Sequence, residues 1–474
     1  MYRSTSAAAA VLAAALTAAV TISGAPEAQA ATGCRVDYQV TNEWQGGFIA
    51  ALNVTNLGDA VNGWRLTWSF GAGQTVSQSW NGTVRQSGAQ VTVDNVAYNG
   101  SLGTGASAGV GFVANGPTAP VPSDFALNGT ACTGSTPAPD VLSQAHTAGR
   151  VTKSGQYSWP GVYFEGRFRG TGVGIVLNDS TNDYDVRIDG GTVAMLSKPG
   201  KTTHWVNNLS NADHTVRLVK RTESPWVQAA EFGGFVAASG GQILAKPAAR
   251  SRQIEFIGDS LTAGYGNLST TRDCSANGGI DRNTNTDLSF GALTARALNA
   301  DYQVNAFSGR GMVRNYGGGQ AGTSYRTYYD RALLNVDGDV WQNPGTWRPQ
   351  LVVVGLGTND FSTALNPGEQ WPDQQSLVAA YKSAYQGFLD KLRTRYGAGT
   401  TILVSVPEGS GTFADAVRQV AQDRASQGDS RVRYWNYADP AIDRLGCDWH
   451  FSQRDHQLIS GLLGNYVAGL NLAW

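Results

Sequence analysis

Residues 254–261 read Ile-Glu-Phe-Ile-Gly-Asp-Ser-Leu: a short apolar run, Gly258-Asp259-Ser260 at its end, then a helix-compatible segment. Similar apolar runs recur downstream at Val304-Asn-Ala306, Leu351-Val-Val-Val354, Ile402-Leu-Val-Ser-Val406 and Val432-Arg-Tyr-Trp435. Helical patterns lie between them. In Gln374–Tyr396, Leu377, Tyr381, Ala384, Tyr385, Phe388, Leu389 and Leu392 share one face at helical spacing. A second helix is expected over Thr412–Gln427, stopped by Gly428. Strands alternating with helices predict a doubly wound parallel sheet over residues 252–474. Ligands of such sheets gather at the carboxyl ends of the strands, which is where Ser260 is placed. A lone Gly-Asp-Ser also describes a serine N-cap, so the other strand ends decide its meaning.

Those ends carry matching chemistry. Ser308-Gly309-Arg310-Gly311 follows Val304-Asn-Ala306, and Gly355-Leu-Gly-Thr-Asn-Asp360 follows Leu351–Val354. Asp448-Trp449-His450 precedes the last helical segment. A serine supplies an attacking oxygen and a histidine removes its proton. A glycine N–H and an asparagine amide hold a developing oxyanion. Ser260, Gly309 (with Gly311 as the alternative), Asn359 and His450 are therefore the candidate parts of an acyl-transfer site.

In order and position these blocks resemble the SGNH, or GDSL-type, hydrolases over about residues 253–474. With the β-rich stretch before them, GDSLTAGYGN, SGRGMVRN, GLGTND and GCDWHFS are similar to carbohydrate esterase family 2, in which a jelly-roll domain precedes the SGNH domain. The resemblance implies a carboxylic ester hydrolase that removes O-acetyl groups from xylan and glucomannan through an acetyl-serine, with neither metal nor organic cofactor. The wider superfamily places its acid three residues before the histidine, but that position here is Cys447. The family 2 pattern points instead to Asp448, two before His450, as the orienting acid. A backbone carbonyl, used by some family members, is the alternative.

Upstream the chain is β-rich throughout. Residues 31–132 show alternating runs, among them Arg35–Val40, Phe48–Val54, Trp64–Phe70 and Val91–Val93, separated by Gly/Asn turns. This predicts a β-sandwich. Residues 133–139 (TGSTPAP) read as a linker. Residues 140–251 carry Val162–Phe164, Val173–Leu177, Tyr184–Ile188 and Thr215–Val219 without a long helical period, which predicts a second sandwich. The first unit, through Asn42-Glu-Trp-Gln-Gly-Gly-Phe48, Asn62–Trp68, Trp80-Asn-Gly82 and its bracketing cysteines, resembles a family 2 carbohydrate-binding module. That resemblance implies docking on cellulose or xylan through Trp44, Trp80 and Tyr98. Trp64 reads as core; Trp68 fits either core or surface.

The first 30 residues read as a secretory signal peptide: Arg3, an apolar run from Ala7 to Val20, and Ala28-Gln-Ala30 as a cleavage site. The four cysteines suit an oxidising compartment. Three pairings are open; the domain boundaries favour Cys34–Cys132 and Cys274–Cys447, with two buried thiols as the alternative for the second pair. The expected protein is thus extracellular and a monomer. Formal net charge is −1, from 35 Lys+Arg and 36 Asp+Glu, and no basic run appears, which argues against nucleic acid or an anionic membrane as partner.

Several motifs are discounted. Gly105-Ala-Ser107-Ala-Gly109 has the nucleophile-elbow spacing but lies in the β-only module. Asp281–Asn285 opens like a calcium loop, yet Thr286 and Ala292 occupy its glycine and glutamate positions. No histidine or cysteine spacing suits zinc. His456 reads as a surface or helix-packing residue, while Trp449 and Trp371 fit either a sugar subsite or the core. The alternatives to a polysaccharide deacetylase are a broad SGNH lipase or esterase and a non-catalytic polysaccharide-binding protein.

Overall fold

The computed structural model describes residues 33–132, 141–223, 229–472 and 474. The leader at 1–30 and the linker at 133–139 lie outside the described residues. By compactness the chain divides into two units, with the boundary between residues 138 and 139.

The first unit is a sandwich of a four-stranded and a five-stranded antiparallel sheet. The alternation read from its sequence sends Val36, Tyr38, Leu52, Val54, Leu66, Val91 and Val93 inward. Trp68 is fully buried and stacks on Phe112 at 5.7 Å between ring centroids. Trp64 is buried too, its Nε1–H donating to the Asn99 carbonyl at 2.7 Å. A disulfide joins Cys34 to Cys132.

The second unit contains a β-sandwich and an α/β layer. The sandwich has a sheet of Gln156–Tyr157, Ala230–Ala237, Val173–Asp179 and Gly200–Val206. Its second sheet comprises Gly191–Ser197, Asp183–Ile188, Ala212–Lys220, Tyr163–Gly170 and Gln242–Ile243. One apolar core runs through both layers, bringing Trp159 and Phe164 together with Val352, Val354 and Tyr325. Charged pairs also cross the junction. Arg150 reaches Glu255 at 3.1 Å with both side chains fully buried, and Arg187 reaches the buried Asp287 at 2.6 Å. Removing Arg150 or Glu255 would strand the other's buried charge, at a cost of roughly 3–5 kcal/mol, whereas Asp287 also keeps Arg217 and Arg296 as partners.

The α/β layer is a five-stranded parallel sheet, β1 (Arg252–Gly258), β2 (Ala300–Ala306), β3 (Leu351–Gly355), β4 (Thr401–Val406) and β5 (Val432–Asn436), in the order β2-β1-β3-β4-β5. The helices that matter for the site are α1 (Ser260–Ala263), α2 (Phe290–Ala297), α3 (Thr358–Phe361), α4 (Gln374–Tyr396), α5 (Thr412–Ser426) and α6 (Gln453–Ala468). The apolar face read for α4 is the one it buries, Leu377, Tyr381, Tyr385, Phe388, Leu389 and Leu392, with Ala384 half-buried. From that face Tyr381 Oη–H reaches the Leu356 carbonyl at 2.6 Å and braces the end of β3. Among the described residues no helix is long and apolar enough to cross a membrane.

Register brings the motif blocks to one edge. Gly258 pairs with Ala306 on one side and with Gly355 on the other. The residues that follow each strand, Asp259-Ser260, Phe307–Gly309 and Leu356–Asn359, therefore leave the sheet side by side. A side chain at Gly258 would place its Cβ 2.0 Å from Thr262 Oγ1, so the turn into α1 closes only over glycine.

Candidate active site

Ser260 is the first residue of α1 and is buried. Asp259 caps the helix, its carboxylate accepting the Leu261 N–H at 3.0 Å. Ser260 Oγ and His450 Nε2 stand 2.7 Å apart although 190 residues separate them in the chain. The other ring nitrogen, Nδ1, faces the Cys447 carbonyl at 2.9 Å and the Asp448 carbonyl at 3.2 Å. With Nδ1–H donating to a carbonyl, Nε2 carries the lone pair and can accept the serine proton. Burial lowers the His450 pKa below its ordinary value, while the two carbonyls and the Asp448 charge push it back up.

The expectation for Asp448 is corrected here. Its carboxylate does not reach the His450 ring; Oδ2 accepts the Tyr265 hydroxyl at 3.1 Å. The cause is local backbone. Asp448 and Trp449 both take left-handed conformations, at φ 52° and 66°, which turn their side chains outward and leave the Cys447 carbonyl beneath the imidazole. Consecutive left-handed non-glycine residues are costly, so the surroundings must impose them. They do so through Cys447 N–H to the Gly266 carbonyl at 3.2 Å, Asp448 N–H to the Arg272 carbonyl at 2.8 Å, and the Cys274–Cys447 disulfide. The Tyr265 ring rests against His450 at 4.4 Å, and Trp449, 63% exposed, lies 3.6 Å from the Arg272 guanidinium.

Asn359 is buried at the start of α3. Its Nδ2 donates to Asp259 Oδ2 at 3.2 Å and to the Arg310 carbonyl at 3.0 Å, tying the residue before Ser260 to the glycine loop. Burial raises the Asp259 carboxyl to about 7, against the pull of the Leu261 N–H. In the glycine loop, the Gly311 N–H is committed to Asn315 Oδ1 at 3.3 Å, and Gly311 is packed against Arg314 and Asp360. Gly309 instead takes φ 76° with open space on its Cβ side. His456 belongs elsewhere: it is buried, its Nδ1 accepts the Phe290 N–H at 3.0 Å, and it pins α6 to α2. Trp371 is half-buried.

The binding-module residues form a separate surface. Trp44 pairs with Gly47, Trp80 with Gly111, and Gly111 with Ala51. Paired residues point to one face, and Gly47 and Ala51 share that face by strand parity, so both indoles lie on the same side of the sheet. Each is 44% exposed and lies against the bare Cα of its glycine. Tyr98 is 76% exposed and tied by its hydroxyl to Asn81 Oδ1 at 2.7 Å, beside Trp80.

Comparison with known proteins finds a match for each of the three folded layers. Residues 34–132 match a cellulose binding domain, 147–247 the N-terminal domain of carbohydrate esterase 2, and 254–463 a GDSL-like lipase/acylhydrolase. The chain is 39% identical over 318 residues to an acetylxylan esterase/glucomannan deacetylase of Cellvibrio japonicus, covering 67% of this chain and 86% of that protein. It is 51% identical over 112 residues to endoglucanase CelA of Streptomyces lividans, covering 23% of this chain and 24% of that protein. A family two carbohydrate esterase from Clostridium thermocellum, solved with cellohexaose, superposes with a TM-score of 0.60 at 31% identity, covering 68% of this chain and 98% of that one.

Proposed function

Since this chain belongs to carbohydrate esterase family 2 and carries a cellulose-binding module, we propose that it is a secreted deacetylase of plant cell-wall polysaccharides, acting on acetylated xylan and glucomannan through an acetyl-Ser260 intermediate. The observation that carries this reading is the 2.7 Å approach of Ser260 Oγ to His450 Nε2, with Nδ1 held at 2.9 Å by the Cys447 carbonyl.

In this mechanism Ser260 Oγ attacks the acetyl carbonyl while His450 Nε2 takes its proton. The Cys447 carbonyl steadies the ring and the imidazolium that forms. Gly309 N–H receives the negative charge on the former carbonyl oxygen, joined by the Asn359 amide as it exchanges its 3.2 Å bond to Asp259 Oδ2 for the oxyanion. The intermediate collapses, the sugar oxygen leaves, and His450 returns the proton to it. Water, deprotonated by His450, then attacks the acetyl-serine, and His450 returns that proton to Ser260 Oγ as acetate is released. No step calls on a carboxylate at the histidine.

Two features favour a sugar over a lipid as alcohol. Trp449 offers an exposed ring beside His450, suited to the apolar face of a pyranose. The Trp44, Trp80 and Tyr98 surface suits a flat glycan and would keep the enzyme on its insoluble substrate.

The test is NMR of acetate release from acetylated xylan and acetylated glucomannan by the full chain, with a p-nitrophenyl ester series from acetate to octanoate alongside. Acetate is expected to be the preferred acyl group. A rate that rises with chain length, with no release from either polysaccharide, would establish a lipase instead.

A further inference from the structure

The loop from Ser308 to Asn315, which carries Gly309, is held at two points by carboxylates that take no part in the mechanism above. Asp360, the residue after Asn359, grips its far end: Oδ2 accepts the Met312 N–H at 2.8 Å, and Oδ1 accepts those of Val313 at 2.8 Å and Arg314 at 2.9 Å. The near end is gripped from the other layer of the molecule. Glu223 follows the sandwich strand Ala212–Lys220, 85 residues upstream of the loop, and its Oε1 accepts the Ser308 N–H at 2.9 Å. Its Oε2 takes the Ser308 hydroxyl.

We propose that Glu223 is a positioning residue supplied by the β-sandwich, which aims the Gly309 N–H at the developing oxyanion by fixing Ser308. This rests on the deacetylase reading and on Gly309 as the oxyanion donor.

The physical argument starts from the peptide between Ser308 and Gly309. Its N–H direction is set by ψ of Ser308 and φ of Gly309. Glycine at φ 76° is free to turn, so Gly309 cannot hold that direction itself. The restraint must come from its neighbours. On the far side, the Gly309 carbonyl accepts the Tyr316 N–H at 3.0 Å and the loop is anchored by Asp360. On the near side, Ser308 is caught by both its backbone N–H and its side chain on one carboxylate, which restrains φ and χ1 together. A preorganised donor acts only if it already points at the oxyanion, and a misplacement of about 1 Å costs on the order of 100-fold in rate. Burial raises the Glu223 pKa, and the two Ser308 hydrogen bonds and the charge of Lys220, three residues earlier, pull against it; Lys220 Nζ itself donates to the Ser158 carbonyl at 2.9 Å and to that of Thr222 at 2.6 Å. Sharing a core with the α/β layer, the sandwich is thus placed to complete the catalytic machinery.

The experiment uses the full chain and p-nitrophenyl acetate, comparing wild type, Ser260→Ala, Glu223→Ala, Glu223→Gln, Ser308→Ala and the Glu223→Ala/Ser308→Ala double variant. Glu223→Ala is expected to lower kcat by roughly 10–100-fold with KM within about threefold. Glu223→Gln, which keeps an acceptor oxygen in place, should recover most of the loss. The double variant should be no slower than Glu223→Ala, because both changes break the same link. A Glu223→Ala protein with kcat within twofold of wild type overturns the proposal, as does a loss confined to KM. Should Glu223→Ala not fold, Glu223→Gln and Ser308→Ala decide: wild-type kcat in both overturns it, and reduced kcat at unchanged KM in Ser308→Ala supports it. Inactive wild type on every acetyl ester would instead sink the deacetylase reading, and so separates the two failures.

Discussion

The imidazole of His450 is oriented by the backbone of Cys447: Nδ1 lies 2.9 Å from that carbonyl, while the Asp448 carboxylate faces Tyr265. A carbonyl dipole orients the ring as a carboxylate does, but brings no full charge next to it.

Asp448→Asn should accordingly be mild. The substitution removes a charge, keeps an oxygen that can accept from the Tyr265 hydroxyl, and leaves the Cys447 carbonyl in place. Turnover within about tenfold of wild type is expected, against the roughly 10,000-fold loss known when a triad aspartate is neutralised. A drop of three orders of magnitude in kcat would show that the carboxylate reaches the ring during the reaction.

The acid limb of the pH–rate profile follows from the same geometry. Burial is the largest influence on His450 and favours the neutral ring, and only the neutral ring can act as base. Activity should therefore persist below the ordinary histidine value of about 6.5. Because the Asp448 charge favours the imidazolium, Asp448→Asn should move the limb slightly further down. Measured kcat/KM against pH with a limb above 7 would contradict this assignment of charges.

Ser260→Ala should abolish acetate release with the fold intact, since the covalent step is lost; the corresponding loss in another serine hydrolase is about a million-fold. Asn359→Ala should cost roughly 100–1000-fold in kcat. It also unties Asp259 from the Arg310 carbonyl, so circular dichroism and melting should be recorded with the kinetics.

The Cys274–Cys447 bond closes a span of 173 residues on the residue whose carbonyl holds His450. Chain-entropy arguments give such a link up to about 5 kcal/mol. A Cys274→Ser/Cys447→Ser variant should melt earlier and, at temperatures where it is still folded, turn over more slowly. Equal kcat in the folded variant would mean that the surrounding hydrogen bonds hold the loop unaided.

Trp44→Ala and Trp80→Ala should each weaken retention on insoluble cellulose by on the order of 1 kcal/mol, the scale of one aromatic contact, and leave kcat on soluble esters unchanged. Trp68→Ala should instead lower the melting temperature of the module, by about 3–5 kcal/mol in stability, because Trp68 is wholly buried. Pull-down and calorimetry distinguish the two kinds of tryptophan.

Much of this was legible in residue order. Strand ends can be read from where apolar runs stop, so Ser260, the Ser308–Gly311 block and Asn359 could be placed at one edge of a parallel sheet before any coordinates. Alternation likewise marked Trp64–Phe70 and Val91–Val93 as strands of a sandwich, and the resemblance to a carbohydrate-binding module singled out Trp44 and Trp80. What the chain could not announce is which groups without a distinctive residue type do the holding. Every residue has a carbonyl, so nothing in Cys447-Asp448-Trp449-His450 marks the first carbonyl, rather than the acidic side chain, as the partner of His450; two left-handed residues imposed by distant contacts decide it. Trp68 fitted core or surface until the opposite sheet supplied Phe112. Glu223 looks in sequence like any charge after a strand, and only the packing of sandwich against sheet brings it to Ser308. Periodicity and spacing report local backbone and burial, whereas contacts across 85 or 190 residues depend on how finished layers meet.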